Sequence, residues 1–97
     1  MNPIVKVIDN ITIDSKEYRI IQSDFFEYKE DFNEDISESC IPIYRGTVIA
    51  VEVHKKFLFI TYWSTLKTYF TKSFNAIPIQ IYNIKKWFNK NIRNGKL

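Results

Sequence analysis

Ninety-seven residues with 45% apolar and 16% aromatic side chains supply enough core for one domain and exclude a globally disordered chain. No apolar run approaches the roughly 20 residues of a membrane span, and the amino terminus lacks the apolar centre of a signal peptide. A cytoplasmic protein with no membrane partner is therefore expected. The single cysteine, Cys40, rules out an internal disulfide, and two glycines with three prolines leave little material for a flexible linker.

The net charge of +3 conceals a division. Residues 1–39 hold four bases and ten acids, a net of −6, while residues 40–97 hold ten bases and one acid, a net of +9. Eleven of the fourteen bases are lysines, and Ile and Asn are also abundant. That composition fits AT-rich coding in a bacterium, a phage or another mobile element.

In chain order, Ile4–Ile8 and Ile11–Ile13 read as extended segments. A turn at Asp14-Ser15-Lys16-Glu17 leads into a second strand through Tyr18 and Ile20. Next comes the densest charge in the chain: Ser23–Ser39 holds seven carboxylates and one lysine. Phe25, Tyr28, Phe32 and Ile36 recur at helical spacing, and Ser23 with Asp24 suits a helix start, so this stretch predicts an acidic helix near 24–38. The pairs Glu27–Asp31, Asp31–Asp35, Glu30–Glu34 and Glu34–Glu38 then repel at (i, i+4), each by about 0.2–0.5 kcal/mol. Such a helix must be held by its apolar stripe, and its outer face gains from any cationic partner.

Ile41–Arg45 reads as a short extended arm, with Pro42 placing it at a sheet edge or a strand start. Thr47–Val53 and Phe57–Trp63, β-branched and aromatic, predict central strands joined at His54-Lys55-Lys56. Ser64–Phe74 fits either state and leans to a short helix. Ile77–Tyr82, interrupted by Pro78, predicts an edge arm. A basic C-terminal helix near 84–93 follows, with Ile84, Trp87, Phe88 and Ile92 inward and Gly95 at its end. The sum is a small single α+β domain spanning 1–97, mainly antiparallel, in the order β-β-α-β-β-(α)-β-α.

Catalytic chemistry finds little to stand on. Cys40 and His54 are the only Cys and His, with no motif around either, and one of each falls short of a transition-metal site. No glycine-rich phosphate loop exists, and the acidic stretch lacks the glycine and oxygen spacing of a calcium loop. Val48–Lys56 (VIAVEVHKK) looks like the acidic strand of the PD-(D/E)xK nucleases, with Glu52 in place. However, His54 stands where the family carries lysine, and no Pro-Asp strand precedes it. That resemblance implies a metal-dependent nuclease as a remote alternative. No enzyme, no catalytic residue, no metal site and no cofactor are expected.

The leading expectation is a non-enzymatic immunity or inhibitor-type protein, in the manner of an antitoxin. Its acidic helix would dock on a protein partner with a basic groove, a toxin or a nucleic-acid-handling enzyme. Phe26, Glu27, Tyr28, Glu30, Asp31, Glu34 and Asp35 are the contact residues, since charge complementarity of this kind speeds encounter and enforces specificity. The alternative is a nucleic-acid-binding module in which Lys55, Lys56, Lys85, Lys86, Lys90 and Arg93 neutralise phosphates while Tyr62, Trp63, Tyr69 or Trp87 stack bases. The aromatic surplus and the proline-punctuated edges also make a homodimer credible.

Overall fold

The computed structural model describes residues 3–31 and 39–95. Four strands, β1 (Ile4–Ile13), β2 (Lys16–Asp31), β3 (Ser39–Phe57) and β4 (Ile60–Thr71), form one antiparallel sheet in the order β1-β2-β3-β4. A single 3-10 turn, Phe74–Ala76, leads into the helix α1 (Ile77–Phe88), which continues through a π-helical turn, Asn89–Arg93. The chain is thus a small α+β domain: a four-stranded meander with one C-terminal helix.

Each connection follows from its residues. Asp14 and Ser15 both take positive φ, 52° and 68°, as a two-residue hairpin turn of right-handed strand twist requires, and Asp accepts that conformation more readily than most residues. Pro78 lies in the first turn of α1, where a missing N–H costs nothing and the fixed φ suits the helix. Beneath α1, Tyr18 and Ile20 of β2 and Ile49, Val51 and Val53 of β3 meet Ile77, Ile84, Phe88 and Ile92 in one buried cluster. Tyr18 and Phe88 pack edge to face with ring centroids 5.4 Å apart.

Several sequence expectations are corrected. The largest concerns the acidic stretch: its described part, through Asp31, is not a helix but the continuation of β2, paired with β3 from Tyr18↔Val53 to Asp31↔Ser39. Its expected stripe residues Phe32 and Ile36 lie outside the described residues. The strand removes the Glu27–Asp31 (i, i+4) contact that burdened the helix, because an extended backbone sets these two positions about 13 Å apart.

Ser64–Thr71 belongs to β4, where β-branched and aromatic residues pair Val48↔Phe70, Ile49↔Tyr69 and Ala50↔Thr68, so the short helix there is replaced by strand. Ile77–Tyr82 is helical rather than an extended arm, because Pro78 starts a helix there instead of marking an edge. His54-Lys55-Lys56 is not the turn. These residues pair with Trp63, Tyr62 and Thr61, and Leu58-Phe59 makes the reversal.

The sheet is longer in its middle than at its sides. The β1–β2 pairing ends at Ile4↔Asp24 and the β3–β4 pairing at Thr47↔Thr71. Beyond them β2 and β3 continue alone as a two-stranded arm through Asp31 and Ser39, about 23 Å at the rise of an extended strand. The radius of gyration, 17.5 Å, and extents of 59 × 35 × 14 Å reflect this. A compact chain of this length has a radius of about 12.5 Å. The register slips between Phe25 and Phe26 where the arm begins, leaving Arg45 as the extra residue on β3. Gly46 beside it has φ 150°, and a Cβ built there would stand 2.7 Å from Cε2 of Phe70.

Two stability measurements check this packing. Phe88→Ala is expected to lower the unfolding free energy by about 3–5 kcal/mol in denaturant titration, because the ring fills the interface between sheet and helix. Gly46→Ala is expected to cost about 1–3 kcal/mol, and Phe70→Ala in the same background to recover part of that loss, since the partly exposed ring supplies the clash.

Candidate binding surfaces

The arm stands on a polar and aromatic base. Asp24 accepts a hydrogen bond from Thr47 Oγ1 at 2.6 Å and from Gln22 Nε2 at 3.0 Å, and both donors are buried. The Thr47 hydroxyl also meets the Tyr44 hydroxyl. Tyr44 in turn stacks edge-on against Phe26 at 5.8 Å and against Phe74, from the turn before α1, at 5.6 Å. This network ties the last pairs of the four-stranded region to the first pairs of the arm. Asp24, expected at a helix start, instead satisfies buried donors where the sheet narrows.

Of the expected partner-binding residues, Phe26, Glu27, Tyr28, Glu30 and Asp31 follow one another along the arm strand β2. Phe26 is half-buried, whereas Glu27 and Tyr28 are exposed. Glu27 is already partnered, with Arg45 Nε donating to its Oε2 at 2.6 Å across the register slip. Glu34 and Asp35 lie outside the described residues. Among the described residues no ion pair joins the basic residues of α1 to the acids of β2; the ion pairs are Arg19–Glu52, Arg45–Glu27 and His54–Glu17.

The expected nucleic-acid set divides into three places. Lys55 and Lys56 are exposed on β3 beside the turn into β4. Lys86 and Lys90 line a shallow cleft of about 500 Å³ together with Tyr69, Asn83, Trp87 and Asn91. Lys85 and Arg93 border a different hollow that contains Asp9, Phe88 and Asn89. Of the expected stacking aromatics, Tyr69 and Trp87 line the cleft, Tyr62 is exposed on β4, and Trp63 is half-buried.

Trp63 belongs to a compact polar cluster. The Arg19 guanidinium lies 4.1 Å from its ring centroid and donates to Glu52 Oε1 at 2.6 Å. The His54 ring stands 4.9 Å from Trp63, and His54 Nδ1 lies 3.5 Å from Glu17 Oε2. Glu52, the carboxylate behind the nuclease resemblance, is thus held by Arg19, and no three His, Cys, Asp or Glu residues converge among the described residues. Cys40 and His54 sit fourteen residues apart on the same strand, about 46 Å along it, too far to act on one another.

Sequence reading missed the Gln22–Asp24–Thr47–Tyr44 network, because its members are joined by register rather than by spacing. It also missed the β3–β4 turn, because Phe57-Leu58-Phe59-Ile60 carries none of the Gly, Pro, Asn or Asp that usually mark a reversal. No protein-family model, curated protein or solved structure matches the chain in sequence or fold.

Asp24→Ala is expected to destabilise the protein by about 1–3 kcal/mol in thermal or chemical unfolding, because it leaves the buried Thr47 hydroxyl and Gln22 amide short of an acceptor. Thr47→Val in the Asp24→Ala background should cost less than the two single losses summed, as expected for partners in one network.

Proposed function

We propose that the protein is a non-enzymatic binding protein of the immunity or inhibitor type, docking on a basic protein partner through the β2–β3 arm. The observation that carries this reading is the arm itself. Beyond Asp24 and Thr47 both of its strands lose their neighbours among the described residues, which leaves two rows of backbone donors and acceptors without a described sheet partner. Isolated two-stranded ribbons are marginal in water, and unpaired edges are templates for added strands. Strand addition would give affinity through main-chain hydrogen bonds, while Glu30 and Asp31 would favour a cationic partner. Tyr28, exposed on the arm, serves as the aromatic anchor.

The reading keeps the acidic residues expected to bind and changes the element that presents them. Reversing Glu30 and Asp31 to lysine should slow association and flatten its dependence on salt. A basic protein retained from the source lysate by the wild type and lost by Glu30→Lys/Asp31→Lys agrees with this. Retention of the same partner by both contradicts it.

A second reading rests on the cleft beside α1, where Lys86 and Lys90 flank Trp87 and Tyr69. Two cations bordering two aromatic faces suit single-stranded nucleic acid, with phosphates on the lysines and bases on the rings. It predicts retention of a labelled oligonucleotide at low salt, lost steeply as salt rises and abolished by Lys86→Glu/Lys90→Glu. No retention at low salt contradicts it.

A further inference from the structure

The end of the sheet opposite the arm carries a second anomaly. At the β3–β4 turn, Phe57, Leu58, Phe59 and Ile60 are exposed by 65%, 72%, 99% and 66%. Four consecutive large apolar side chains in water are unusual unless they have a partner. Leu58 is also held at φ 56°, a left-handed conformation that favours glycine and costs a branched residue strain. A turn selected for stability alone would carry Gly or Asn at that position. Strain and solvent exposure are accepted here together.

We propose that this turn inserts into the surface of an anionic lipid bilayer. Three features favour a lipid surface over a protein groove. First, Phe57 and Ile60 pair across the hairpin on one face while Leu58 and Phe59 cap its end, so the exposed apolar surface wraps round the tip. A groove covers one face, whereas a bilayer surrounds the whole tip. Second, the cations are placed at headgroup depth. Lys55 and Lys56, both exposed, pair across the hairpin with Tyr62 and Thr61 immediately behind the apolar tip. The neighbouring β1–β2 turn carries Asp14, Lys16 and Glu17, so this end of the sheet holds three lysines against two acids and stays net positive. Third, the lengths agree. From the Lys56–Thr61 pair to the turn is two residues, about 7 Å, which matches the roughly 5–10 Å to which interfacial segments sink below the headgroups. Tyr62, exposed beside the lysines, supplies an aromatic ring at the interface.

No helix among the described residues is long and apolar enough to cross a membrane, so the attachment is peripheral and reversible. Apolar insertion and lysine attraction are each modest, and binding needs both.

The test is co-sedimentation of the full chain with vesicles of phosphatidylcholine alone and of phosphatidylcholine with phosphatidylglycerol at roughly 7:3. Binding to the anionic vesicles, weakened by salt, is expected, with far less on the neutral ones. Leu58→Gly/Phe59→Ser is expected to lower that binding roughly tenfold or more while the melting temperature stays level or rises, because glycine relieves the strained turn. Lys55→Ala/Lys56→Ala, which leaves the apolar tip intact, should reduce binding and flatten its salt dependence. Absence of wild-type binding to anionic vesicles overturns the proposal, as does equal binding by the wild type and Leu58→Gly/Phe59→Ser. A wild-type dimer that this double variant converts to monomer, without vesicle binding by either, assigns the tip to a protein contact and also overturns it.

Discussion

The pairing of β2 with β3 is the constraint on which the rest of the structure depends. It runs from Tyr18↔Val53 to Asp31↔Ser39, longer than either flanking pairing, so both outer strands are additions to one central hairpin. The half of that hairpin flanked by β1 and β4 carries the core, because Tyr18, Ile20, Ile49, Val51 and Val53 lie beneath α1. Among the described residues the other half has no flanking strand, and only Phe74 packs against its base. The same ladder thus makes a stable domain at one end and an unaccompanied arm at the other. The Gln22–Asp24–Thr47–Tyr44 network marks the boundary.

That division gives the molecule two opposed ends with different chemistry. The arm offers backbone edges, exposed aromatic surface and carboxylates. The turn at the far end offers apolar side chains backed by lysines. Proposed together, they describe a protein that could meet a basic partner at one end while resting on an anionic surface at the other. Neither end uses the Arg19–Glu52–Trp63–His54 cluster, whose charges satisfy one another on the sheet.

Much of the fold was legible in the residues. The β-branched run from Thr47 to Val53 reads as a central strand, Asp14-Ser15 as a turn, and Ile84, Phe88 and Ile92 as a helix stripe. The failures share a physical cause: a short apolar pattern can satisfy two periods at once. Phe25 and Tyr28 fit a helical stripe, yet Phe26 and Tyr28 fit one face of a strand equally well. The repulsion at Glu27–Asp31 was a cost against the helix, but spacing alone could not show that a strand with Ile43, Tyr44 and Gly46 opposite was waiting. Pro78 was ambiguous in the same way, since proline suits both a sheet edge and a helix start. Of the candidate sites, the acidic residues were found and their geometry was not. The turn at Leu58-Phe59 was hidden, because four large apolar residues from Phe57 to Ile60 read as strand.

The described part of the acidic segment pairs with β3 instead of coiling on its own. Backbone NMR tests this most directly. Extended Cα shifts through Ser23–Asp31 and cross-strand contacts between the backbones of Phe26 and Tyr44 and of Glu27 and Ile43 are predicted. Helical shifts with sequential amide–amide contacts through the same residues, and no contact across to β3, would contradict the account.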